Sequence, residues 1–207
     1  LMKLSAPEQR LLDFTREQFG EHISQFLLAG LGEEDEMQTW LFMVTFTNEL
    51  GVHRCREIKV EADERPDIVT LLPRRREPLV ILALLQLLIV DRKMSSASLS
   101  YELEEVLGLL GWEDSAKSRL TIDEAIERYA DMSYYWTLSG EELEERNLSS
   151  YKGQSRIVSG YSRCIAEGER RSKSLSGMVE FGARFIEGLV GRTLFDLDWN
   201  NVRGKIF

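Results

Sequence analysis

The sequence predicts an α+β fold built on a winged helix: a three-helix core closed by a β-hairpin wing, with an N-terminal helix and strand extension. Three observations predict it. Residues 78–131 read as three helical segments, PLVILALLQLLIVDRK, SLSYELEEVLGLLGW and SAKSRLTIDEAIERYAD, joined by short polar connections. An aromatic β-forming stretch, MSYYWTL, follows directly. A second β-forming stretch, RIVSGYSRCIA, comes after a long polar tip. Three helices followed by a hairpin is the order expected of this helix-turn-helix variant.

The extension comes first. Ser5-Ala6-Pro7-Glu8 opens a helix with a capping serine, a proline suited to the first turn and an acid at the positive end of the dipole. Leu11, Leu12, Phe14, Phe19, Ile23, Phe26 and Leu27 carry an apolar stripe at helical spacing to Gly30 or Gly32. The acidic run 33–36 (EEDE) reads as a linker or a helix start. Residues 40–47 (WLFMVTFT) are rich in β-formers and read as a strand, though with NEL behind them they also fit a helix. Residues 53–62, with Cys55, Ile58 and Val60 in partial alternation, read as a second strand. Residues 1–66 are thus the predicted extension, and 67–207 the predicted winged-helix DNA-binding domain.

A connection holding Pro66, Pro73 and the triplet Arg74, Arg75 and Arg76 leads into the first central helix at Pro78. Its 12-residue apolar run, 79–90, is short of the roughly 20 residues a membrane span needs, so it reads as a core helix. The second helix, capped by Ser98 or Ser100, puts Leu103, Val106, Leu107 and Leu110 on one face and stops at Gly111. The third starts at Asp114 or Ser115, ahead of the alternative capping box of Thr121 and Glu124, and buries Ile122, Ala125, Ile126 and Tyr129. Residues 132–138 and 156–166 are the expected wing strands. Between them lies a polar tip with Glu141, Glu142, Glu144 and Glu145. A strand at 179–181, a helix at 182–190 and a strand at 193–197 complete the reading.

At 207 residues the chain is one ordinary domain or two small ones. Cys55 and Cys164 make no disulfide framework and no signal peptide opens the chain, so a reducing cytoplasmic setting is expected. The opening Leu1-Met2 and the stop at Lys205-Ile206-Phe207 lead us to expect a segment of a longer protein. The net charge of −9 opposes nucleic-acid binding, but the charge is uneven. Residues 1–150 hold 16 Lys and Arg against 29 Asp and Glu; residues 151–207 hold 10 against 6. Such asymmetry points to a local nucleic-acid face or to a solvated, serine-rich loop.

Motifs of catalysis are missing. The sequence has no GxxxxGK[ST], GxGxxG or GxSxG. His53-Arg54-Cys55 lacks further ligands for a structural zinc, so no metal or cofactor is expected. Tyr134-Tyr135 lacks the histidine cluster of a DNA-nicking tyrosine and reads as packing. Gly188-Leu-Val-Gly191 matches an RNA-binding GxxG only in four letters. No enzyme is expected.

If the third helix enters the major groove, its first turns reach base edges: Lys117, Ser118, Arg119 and Thr121 are suitable types. Asp123, Glu124, Glu127 and Asp131 confine contact to those turns. Arg156, Arg163, Arg170, Arg171 and Lys173 are the phosphate candidates.

Ala83-Leu-Leu-Gln-Leu87, Glu102-Leu103, Leu109-Leu-Gly-Trp112, Ser118-Arg-Leu120 and Glu124-Ala-Ile-Glu-Arg128 resemble the plasmid-type replication initiator proteins of the replication initiator A kind. Leu194-Phe-Asp-Leu-Asp198 resembles that family's strand before a second winged helix. The resemblance implies a protein that binds repeated origin sequences in double-stranded DNA and recruits host replication proteins. Arg74-Arg75-Arg76-Glu77 departs from that family's small polar turn. Two other readings stay open: a transcription repressor on the same fold, and an assembly module whose N-terminal region forms a homodimer.

Overall fold

The computed structural model describes residues 2–47, 51–92, 96–165, 174–200 and 203–206. It is an α+β fold with two antiparallel sheets packed around one central helix.

Helix α1 (Ala6–Phe19) starts as the sequence predicts. The Glu8 carboxylate accepts the Ser5 N–H at 2.7 Å and the Ser5 hydroxyl accepts the Glu8 N–H at 3.4 Å, a closed capping box. The expected single helix to Gly30 is instead two. Gly20, at φ 84, breaks it, and α2 (Glu21–Leu27) carries Ile23, Phe26 and Leu27 into the core.

Strands β1 (Thr39–Thr47) and β2 (His53–Ala62) pair antiparallel, from Thr39 opposite Glu61 to Thr47 opposite His53. Period-two alternation turns Val44 and Phe46, with Ile58 and Val60, to the core. It turns Leu41 and Met43 to the surface. His53 Nδ1 bonds the Thr47 hydroxyl at 3.0 Å.

Helix α3 (Glu77–Arg92) is the central element, buried at every position from Leu79 to Leu85, with α1 and α2 packed on it. Among the described residues no helix is long and apolar enough to cross a membrane.

The expected helix cap at Ser98 or Ser100 gives way to a strand, β3 (Ser98–Glu102), with Leu99 and Tyr101 buried in alternation. Helix α4 (Leu103–Leu110) begins only after it and ends at left-handed Gly111. Helix α5 (Ala116–Ala130) starts early, as expected, capped by the Ser115 hydroxyl on the Ser118 N–H at 3.1 Å.

The expected wing pairing is corrected. Strand β4 (Met132–Thr137) does not pair with the strand after Arg156. It pairs with β2 on one side and with β5 (Lys152–Ser155) on the other. Tyr134 is buried against Phe26 and Phe195, while Tyr135 lies under Lys152 with the ammonium 4.2 Å from the ring centre. The acidic tip is largely a short helix, α6 (Gly140–Glu145), tied down by β2: Arg54 pairs with Glu141 and Glu145, and buried Arg56 pairs with Glu142. The first sheet runs β5-β4-β2-β1-β8, with β8 (Arg203–Ile206) on the far edge. It takes strands from both sides of residue 66, so the expected division of the chain passes through it.

The second sheet runs β3-β7-β6, from β6 (Val158–Ile165) and β7 (Ser174–Phe181). Helix α7 (Ala183–Gly191) follows. The expected strand at 193–197 is a 3-10 turn (Leu194–Asp196), because Phe195 and Asp196 adopt positive φ and drop the Phe195 ring into the core.

Candidate nucleic-acid interface

One face of α5 forms one wall of an open groove of about 670 Å³. Lys117, Thr121, Glu124 and Arg128 line that wall at helical spacing, with Ser118 beside them. Lys117 is exposed, and the Thr121 hydroxyl donates back to the Lys117 carbonyl at 3.0 Å. Leu120 is 39% exposed, an apolar side chain left in water on the same helix. Of the expected base-edge set, Lys117, Ser118 and Thr121 stay together. Arg119 points away and grips Asp114 with two bonds, at 2.5 and 2.6 Å. That fork holds the Asp114 carboxyl below its ordinary value, chiefly through the hydrogen bond itself.

The expected phosphate contacts divide. Arg156 donates to the Ala130 carbonyl at 2.8 Å and to Asp63 at 2.6 Å, fastening the end of α5 to the end of β2. Arg163, on β6, pairs with Glu127 and lies 3.4 Å from Asp123, which is 1% exposed on the buried face of α5. Tyr161 donates to Glu127 as well, at 3.3 Å. Arg163 thus joins α5 to β6, and Arg156 joins the end of α5 to the end of β2. Arg170, Arg171 and Lys173 fall between β6 and β7, outside the described residues.

The opposite wall of the groove is the triplet Arg74, Arg75 and Arg76, which in the sequence is only a basic connection. Arg75 sits at φ 54, held there by two backbone bonds: its carbonyl accepts the Gly32 N–H at 2.8 Å, and its N–H donates to Glu33 at 3.1 Å. Arg76 reaches Glu8 at 2.6 Å. Glu8 is fully buried and also accepts the Trp112 indole N–H at 3.0 Å. Burial pushes the Glu8 carboxyl up, but the Ser5 N–H, Trp112 and Arg76 together outweigh it and hold the carboxyl below its ordinary value.

The Leu-Gly-Trp phrase at 110–112 therefore has a physical role. Gly111 lets Pro7 approach so closely that a Cβ there would lie 2.4 Å from the proline ring. Trp112 then fixes Glu8, and Glu8 fixes Arg76. Helix α1, the α4–α5 turn and the basic triplet are built as one unit. No residue spacing in the sequence signals this, because Glu8 and Trp112 are 104 positions apart.

No family model and no curated protein matches the chain. Solved structures do. A crystal structure of domain 2 and domain 3 of RctB, as its selenomethionine derivative, matches with a TM-score of 0.56 at 16% identity, covering 81% of this chain. A second crystal structure, of RctB domains 2–3, matches with a TM-score of 0.57 at 15% identity, covering 83%. The chain spans 58% and 60% of those two chains, respectively. The comparisons thus return the RctB fold, and not the plasmid-type family of the resemblance. At this identity the likeness is one of fold: the chain shares its architecture with RctB domains 2 and 3.

Proposed function

We propose that the chain is a DNA-binding module of a replication initiator. In this reading α3, β3, α4, α5 and the β6–β7 hairpin make a winged helix with α5 as the reading helix. One observation carries the reading: one face of α5, from Lys117 to Arg128, lines an open groove while another face, through Asp123 and Glu127, is held by Arg163 of β6. A helix held on one face, with its N-terminal turns accessible on another, can bring those turns to base edges in the major groove. Lys117 suits a guanine edge or a phosphate, Ser118 and Thr121 suit either base type, and Leu120 suits a thymine methyl. Residues 166–173, with Arg170, Arg171 and Lys173, would lie on phosphates. The fold likeness to RctB, a replication initiator, supports the same role. Binding is sequence-specific, directed at repeated sites, and involves no catalysis.

The test is selection of bound duplexes from a random library by the purified chain. A recurring site, lost when Thr121→Ala and Leu120→Ala are combined, is the expected result. A pool with no enriched sequence overturns the specific reading.

One observation favours a second reading, an assembly module. The outer face of the first sheet leaves Leu41 61% and Met43 40% exposed on neighbouring outward positions of β1. Light scattering after size exclusion reports whether this face joins two copies.

A further inference from the structure

Resting on the DNA-binding reading, we propose that Arg74 and Arg75, braced by Arg76, form a phosphate-binding rail, and that the acidic run at 33–36 occupies it as an internal substitute for phosphate.

The rail is a built feature. Left-handed backbone is unfavourable for a side chain as bulky as arginine, and it persists only where the surroundings impose it. Here the surroundings are the backbone bonds of Gly32 and Glu33 to Arg75. The same bonds place the acidic run directly on the triplet. Glu34 takes the Arg75 guanidinium at 2.9 Å, and Glu36 takes Arg74 at 3.0 Å.

The three pairs are not equivalent. Arg76 is held by Glu8, a buried carboxylate with two further donors, and that pair is structural. The carboxylates on Arg74 and Arg75 belong to side chains 60% and 74% exposed, while Arg74 itself is 17% exposed and is also held by the Glu34 carbonyl at 3.2 Å, so Arg75 is the more available of the two. Exposed ion pairs contribute little and weaken further with salt. A phosphate, with more acceptor oxygens and a matching geometry for guanidinium, can displace them. The rail also lines the groove that holds Lys117, Ser118 and Thr121, so one strand in that groove meets both walls. Ordinary surface ion pairs would account for the charge pairing alone. They do not account for a strained arginine turn facing the open start of α5.

The chemistry is an exchange. Glu34 and Glu36 swing into water as two phosphates take their places, and no proton need move. In the native chain the exchange sets a threshold that weak, non-specific duplex contacts fail to cross.

The experiment compares the full chain with Glu34→Gln/Glu36→Gln, using a 20-base-pair random duplex in fluorescence anisotropy and heparin chromatography as a DNA-free reading of arginine availability. The control, Glu144→Gln/Glu187→Gln, removes two exposed carboxylates elsewhere. Circular dichroism melts confirm folding. We expect the E34Q/E36Q chain to bind the duplex about 10-fold tighter. Its salt slope should steepen by about 1 to 2, on the order of 0.9 per phosphate engaged. It should also elute later from heparin, and adding Arg75→Ala should reverse all three effects. The proposal is overturned if the variant matches native protein on both assays while native protein still binds duplex; the DNA-binding reading then stands. Equal gains in the control variant overturn it too. Tighter heparin binding with no duplex binding by any of the chains overturns the proposal and the DNA-binding reading together.

Discussion

Arg163 and Arg75 are the same residue type, and each meets carboxylates of its own chain, yet they occupy opposite kinds of site. Arg163 lies in a seam, between β6 and α5, against an aspartate only 1% exposed. Arg75 lies on a rim, against a glutamate 74% exposed. The difference lies in the partner. A buried carboxylate cannot be left without its cation, so the arginine is fixed as structure. An exposed one returns to water at little cost, so the arginine remains available to a ligand.

The largest expected effect comes from breaking the seam. Arg163→Met leaves Asp123 buried without that cation and should cost on the order of 3 kcal/mol. Urea unfolding measures it, and Asp123→Asn in the same chain should recover part of the loss. An Arg163→Met chain as stable as native protein would remove the distinction between seam and rim.

A smaller effect is expected at the junction behind the rail. Gly111→Ala demands a left-handed alanine and drives its Cβ into Pro7, and should cost about 2 kcal/mol. Loss of stability with no change in the α-helical circular dichroism would place the damage in the docking of α1 rather than in α4.

Smaller still is a pH effect at Glu8. Its carboxyl is held below its ordinary value in the folded chain, so the stability it contributes is complete above that ordinary value. The contribution is lost as pH falls through the lowered folded value. The stability difference between native protein and Glu8→Gln should therefore shrink on acidification. A difference that grows in acid would contradict the assignment.

Local signals carried much of the fold. Ser5 and Glu8 announce α1, Ser115 announces α5, and the run at 79–90, apolar but for Gln86, announces a core helix. What failed was non-local. Nothing in MSYYWTL says that it pairs with β2 rather than with the strand after Arg156, because strand partners are set by packing and not by the strand's own residues. SLSYE is too short for its alternation to outweigh the helical face that follows it, so β3 was hidden inside a helix. The expected strand at 193–197 contains β-formers, but the conformation of Phe195 is imposed by the pocket its ring fills.

The site was legible in part for the same reason. Lys117, Ser118 and Thr121 sit near a capping serine, a local feature. The fates of Arg156 and Arg163 depend on Asp63 and on Asp123 with Glu127, and the first of these pairs is 93 positions apart. The triplet at 74–76 looked like a connection because its facing wall, α5, comes 40 residues later. Burial of the partner decides the role of an arginine, and burial is a property of the assembled fold.

The central claim is that duplex DNA enters the groove between the start of α5 and the triplet. The most direct measurement is anisotropy of a labelled duplex over a salt series, for native protein and for Lys117→Ala. The account predicts that log affinity falls linearly with log salt, and that Lys117→Ala weakens binding across the whole series. Binding that ignores salt, or an affinity unchanged by Lys117→Ala, would contradict it.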